Sequence, residues 1–131
     1  MRRGRFCNLA KFPHLNMMIG TTDAPRYVCL HRYAHDRLTE FMSSRGFTVT
    51  RQYLGLATAW RAEFKHDARG ARGPGRVVGV NAEMDALPGI GHACGHNLIA
   101  MAGVAIALAL RAALEKHDVP GTVVLLGTPG A

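Results

Sequence analysis

This sequence predicts an α/β fold, a partial mixed sheet built around a βαβ unit, and three stretches carry that prediction. Residues 77–81 (V-V-G-V-N) and 122–126 (T-V-V-L-L) are short runs rich in β-branched residues, the pattern of strands covered by other layers. Between them, residues 98–110 are unbroken apolar, alanine-rich sequence that continues through Arg111 to about residue 117. Strand, helix and strand at this spacing make a right-handed crossover over a parallel pair.

The elements follow in chain order. Over residues 33–44, Ala34, Leu38, Phe41 and Met42 recur at helical spacing, and Gly46 supplies a stop. Short strands are expected over 47–50 and 57–64, where β-branched and aromatic residues gather. Residues 66–75 hold Gly70, Gly73, Pro74 and Gly75 and read as a loop. The 77–81 run reads as a buried strand whose C-terminal end delivers Glu83 and Asp85, the place where open α/β sheets put their sites. The 13 apolar residues of 98–110 fall short of the ~20 that a membrane span needs. They predict a core helix instead, with the alanines and Gly103 permitting close approach to the sheet. Asn97 is its expected N-cap and Pro120-Gly121 its stop. There is no internal repeat and no low-complexity tract.

At 131 residues and 48% hydrophobic, the chain suits one small domain with a modest core. A net charge of +7 invites a nucleic-acid reading, but its distribution argues against one. Arg2, Arg3, Arg5, Lys11, Arg26 and Arg32 face only Asp23 across residues 1–32, which leaves the remainder at +2. No basic helix with interleaved aromatics, finger spacing or RNA-recognition signature is present, so neither nucleic acid nor membrane is expected as a partner. Residues 1–32 are expected to be a basic, poorly ordered N-terminal segment, with residues 33–131 as the folded body. Cys7, Cys29 and Cys94 are odd in number and scattered, which fits reduced thiols and a cytoplasmic location. The acid-free, Arg-rich start makes a mitochondrial presequence the alternative, although Pro13 and Gly20 interrupt any long amphipathic helix there.

Residues 81–97, N-A-E-M-D-A-L-P-G-I-G-H-A-C-G-H-N, concentrate the chemistry. Thiolate and imidazole are the usual sulfur and nitrogen ligands of zinc, and the Cys94-x-His96 step lets both point into one concavity from a loop. Glu83 and Asp85 are two apart, so on an extended strand end both face the same way, one able to hold an imidazole N–H and one nearer the metal. By spacing alone the alternative stays open: Cys94 as a small buried hydrophobe and His96 as an ordinary helix-start residue.

The full string over 76–100, R-V-V-G-V-N-A-E-M-D-A-L-P-G-I-G-H-A-C-G-H-N-L-I-A, resembles the metal loop of the aminoacylase-like zinc metallopeptidases, the M-twenty peptidases. The pairing of D-A-L-P with H-A-C-G-H is that of the amidohydrolase branch, and the likeness is greatest to the peptidase M-twenty domain-containing protein 2 group. It extends from Y-A-H-D at 33–36 through R-G-F at 45–47 and T-A-W at 58–60 to V-V-L-L-G-T-P at 123–129.

The resemblance implies the front part of a zinc-peptidase-like catalytic domain. It implies Cys94 and His96 as metal ligands, Asp85 as the carboxylate that orients an imidazole, and zinc, one or two ions, as cofactor. Glu83 stands where other branches carry aspartate or histidine, and His92 recurs in the motif without being a ligand. The implied reaction is hydrolysis of an amide bond in a dipeptide or N-acyl amino acid, with a homodimer in complete relatives. In the family G-T-P continues into an alanine and a glutamate pair, the first the general base and the second a metal ligand. Further histidines and a lid or dimerisation domain lie downstream. Here Gly130 and Ala131 follow instead. These residues by themselves are therefore expected to lack the base and the later ligands, and to be inactive. The alternative is a non-catalytic product that binds metal weakly or associates with a full-length relative.

Overall fold

A computed structural model describes residues 24–130 apart from 72, 74, 88 and 89, with side chains from His31 onward. Its elements are α1 (Ala24–Ser44), β1 (Thr48–Arg51), a single 3-10 turn (Tyr53–Gly55), β2 (Trp60–His66), β3 (Arg76–Glu83), α2 (His96–His117) and β4 (Gly121–Thr128). The sheet order is β1-β2-β4-β3. β1 and β4 each lie antiparallel to β2, whereas β3 runs parallel to β4. The fold is thus α/β, a mixed four-stranded sheet in which α2 is the crossover of the expected βαβ unit.

α1 begins at Ala24, upstream of the expected residue 33. Arg26 and Arg32 place this stretch in the basic segment by charge, but helical charges on a solvent face cost little, and Pro25 in the first turn lacks only an N–H that would be orphaned anyway. Residues 1–23 of that segment lie outside the described residues. The helix stops where expected. Gly46 has φ +77°, and the amides of Gly46 and Phe47 return to the carbonyls of Ser43 and Met42 at 3.0 and 3.1 Å, which satisfies end carbonyls that would otherwise be orphaned.

One core lies on one face of the sheet. Register pairs Ala62 with Leu125 and Leu125 with Val80, so these positions share a face, and Val123, Leu125, Trp60, Ala82, Val104, Ala107 and Met42 form a single cluster there. Both helices contribute to it. Gly103 of α2 packs on β3, where a Cβ would meet that of Ala82 at 3.2 Å, so the expected close approach of helix to sheet is made by this residue.

The placing of β3 is a correction. The 77–81 run reads as a buried strand in sequence, but β3 is an edge strand with Val77 69% exposed; a run of β-branched residues is compatible with either position. α2 runs from His96 to His117, within two residues of the expected 98–117, and by length and composition it could cross a membrane. It buries only the stripe Ala100, Gly103, Val104 and Ala107, leaving Leu98, Ile99, Met101 and Ile106 exposed.

Candidate functional site

The site grows from the C-terminal end of β3. Glu83 is the last residue of that strand, and Met84 continues its ladder by one bond, Met84 N–H to Thr128 C=O at 3.2 Å. Asp85 and Ala86 then leave the sheet. Leu87 and Gly91 exchange two backbone bonds of 2.7 and 3.0 Å and close the neck of the loop. A turn follows, held by Gly95 N–H to His92 C=O at 2.9 Å.

Gly95, with φ +82°, is the N-cap of α2 and offers no side-chain cap. Its carbonyl accepts from Leu98 and Ile99 at 2.9 and 3.1 Å. Asn97, the expected N-cap, therefore sits inside the first turn. The left-handed backbone needed to turn the loop into the helix suits glycine far better than asparagine preceded by histidine, so the helix starts two residues earlier and places His96 at its first position.

His96 lies between the two carboxylates the sequence singled out. Asp85 Oδ1 is 2.8 Å from Nδ1, and Glu83 Oε2 is 3.1 Å from Nε2. A neutral imidazole has one N–H to give. With that proton on Nδ1 toward Asp85, Nε2 and Glu83 are two acceptors facing one another, and only a proton or a cation between them makes the contact favourable. Zinc–ligand bonds of about 2.0–2.2 Å put two ligand atoms of one ion roughly 3 Å apart, so the spacing of Nε2 and Oε2 suits a shared metal. The donor chemistry of His96 and Glu83 fits a divalent ion.

Cys94 is placed differently. It is free and exposed, and among the described residues no group of three or more His, Cys, Asp or Glu side chains converges at metal-holding distance. The structure brings Glu83, Asp85 and His96 into contact, and Cys94 stands two residues before His96 on the same loop.

Two further histidines flank Asp85. Burial pushes the His92 imidazole below the usual histidine range despite the opposing pull of the Asp85 carboxylate. His31 of α1 accepts from the Ala86 N–H through Nε2 at 3.2 Å, and burial lowers its pKa in the same way. Sequence reasoning missed His31, which falls in the segment assigned to the basic arm. The one available signal was its i, i+4 step to His35 along a helix. Gly130 closes the far side: a Cβ there would come within 2.6 Å of Asp85 Oδ2.

The chain is 43% identical over 111 residues to the Xaa-Arg dipeptidase of Mus musculus, covering 81% of this chain and 26% of that protein. It is 44% identical over 117 residues to the Xaa-Arg dipeptidase of Homo sapiens, covering 80% and 26%. It is 33% identical over 116 residues to a p-aminobenzoyl-glutamate hydrolase polypeptide of Escherichia coli (strain K12), covering 75% and 22%. The chain thus spans about a quarter of the length of the curated relatives it matches. No family model matches it.

Proposed function

We propose, for a chain that belongs to the aminoacylase-like metallopeptidases by the segment it shares with these relatives, that it forms the loop side of a zinc site that hydrolyses an amide bond in a dipeptide or N-acyl amino acid. The observation that supports this best is the imidazole of His96 held on one nitrogen by Asp85 and facing Glu83 with the other. Cys94 and His96 would hold the ion, with Glu83 beside them. When bound, zinc supplies a Lewis acid and a water molecule acidic enough to ionise near neutral pH.

The chain's own residues do the rest. Asp85 fixes the His96 tautomer by accepting a hydrogen bond from Nδ1–H, which leaves the Nε2 lone pair outward. The exposed N–H groups at the start of α2 favour negative charge at the loop, both a Cys94 thiolate and an anionic substrate. The names of two relatives specify Xaa-Arg dipeptides, and a small dipeptide is the substrate class we assign here. The scattered thiols support a reducing, cytoplasmic setting.

Zinc titration tests the site. The wild-type chain is expected to bind weakly, as a site of few ligands does, and the Cys94→Ala, His96→Ala double variant to lose that binding. Equal affinity in both would overturn the metal reading. Dipeptide hydrolysis by these 131 residues alone is expected at no more than metal-ion background, since a positioned base contributes about 10²–10⁴-fold. Zinc-dependent turnover that vanishes in Cys94→Ala would contradict that.

A second reading is non-catalytic association with a full-length relative. It is favoured by the open edge of β3 and the exposed apolar side of α2. Co-elution with such a relative on size exclusion, lost when Val77 is changed to Lys, would support it.

A further inference from the structure

The strand end that carries Asp85 is anchored from two directions. Behind Asp85, the Met84 N–H is bound to Thr128 at the end of β4. Ahead of it, the Ala86 N–H is bound by a side chain 55 residues away on α1. Ala86 is fully buried, so its amide cannot turn to water, and a buried N–H without a partner is strongly disfavoured. The acceptor is Nε2 of His31. The Asp85–Ala86 peptide is therefore held on its N–H by the His31 imidazole, and it carries the carboxylate that meets His96 Nδ1.

We propose that His31 is a positioning residue: by accepting the Ala86 N–H it fixes the plane of the Asp85–Ala86 peptide, and so sets the Asp85 carboxylate on Nδ1 of His96. The role in metal binding rests on the reading of His96 as a ligand; the effect on the Asp85–His96 pair does not. Only an unprotonated imidazole nitrogen can accept. Burial, which disfavours the charged ring, keeps His31 in that form. The arrangement also gives α1, which is otherwise packed against β1 and β2, a direct line to the loop at the far edge of the sheet.

The test compares His31→Phe, which fills the space but cannot accept, with His31→Gln, whose amide oxygen can. Two readouts are taken on the full chain: the ring-nitrogen resonances of His96 in the metal-free protein, and zinc affinity by competition with a chelator. In His31→Phe the Nδ1 resonance of His96 is expected to move toward that of a free imidazole, and zinc affinity to fall about tenfold, the lower end of what loss of a ligand-orienting partner costs. His31→Gln is expected to restore both to near the wild-type values. A His96 resonance unmoved in His31→Phe would overturn the proposal whatever zinc does. A moved resonance in a chain whose zinc affinity His96→Ala does not change would leave the positioning role standing and sink the metal reading instead. If Gln fails to rescue while circular dichroism and melting match the wild type, hydrogen-bond acceptance is not what His31 contributes.

Discussion

β3 and β4 are parallel neighbours of eight residues each, both rich in valine or leucine, yet the structure treats them in opposite ways. β4 lies between β2 and β3 and buries every second residue, Gly121, Val123, Leu125 and Gly127. β3 has a partner on one side only, and of its residues Ala82 alone is fully buried. The difference teaches that strand-like sequence specifies a pleated, apolar segment but not its place in the order. What decides burial is how many neighbours the topology supplies, and β3 is left with a row of unpaired backbone groups along its outer edge.

The sharpest way to break this comparison is to cut the same kind of side chain from each strand. Leu125→Ala removes a fully buried side chain and is expected to cost about 3 kcal/mol, within the range for core leucines. Val77→Ala, at 69% exposure, is expected to cost at most about 0.5 kcal/mol. Urea melts of the two variants would decide it, and equal losses would mean that β3 is covered in solution.

Adding a methyl group tests the contrast from the other direction. At Gly127 a Cβ would collide with the Trp60 indole, which is itself fully buried, whereas at Gly79 nothing lies within 4 Å. Gly127→Ala is expected to destabilise by about 2–3 kcal/mol as an overpacking change. Gly79→Ala is expected to be neutral or stabilising by up to about 0.5 kcal/mol, since alanine has less chain entropy to lose. Thermal melts that ranked the two alike would show that the indole moves aside.

A smaller effect concerns the open edge itself. Val77 and Val78 on β3, with Leu98, Ile99, Met101 and Ile106 on α2, expose apolar surface and should bind a hydrophobic dye and favour self-association. Val77→Lys is expected to reduce both while changing stability by less than about 0.5 kcal/mol, because a lysine on an edge strand blocks further pairing. A wild type that is monodisperse and binds no dye would sink this.

The smallest effect sits at the entry to β4. Asp118, exposed and just beyond α2, has its carboxyl held below the ordinary range chiefly by the hydrogen bond to His66 at 2.9 Å, with the Arg69 amide helping. Because its folded pKa is depressed, its contribution is fully present above the unfolded carboxylate value and is lost as pH falls through the lowered folded value. Asp118→Asn should therefore lower the melting temperature slightly at pH values above the ordinary carboxylate range, and the difference should fade as pH falls through the depressed folded value. A difference that persisted at low pH would point to the φ +50° backbone at this position rather than to charge.

The sequence by itself determined the α/β class, the crossover helix, the Gly46 stop and the convergence of Glu83, Asp85 and His96 on one loop. All of these rest on local physics: side-chain period, turn chemistry, and residues so close in the chain that a strand end and a helix start must bring them together. Only the tertiary structure decided that β3 is an edge, that α2 buries a single stripe, that Gly95 rather than Asn97 caps it, and that Cys94 is exposed. It alone put His31 against Ala86, because a hydrogen bond between residues 55 apart depends on how a helix docks on a sheet, and no spacing within either segment encodes that.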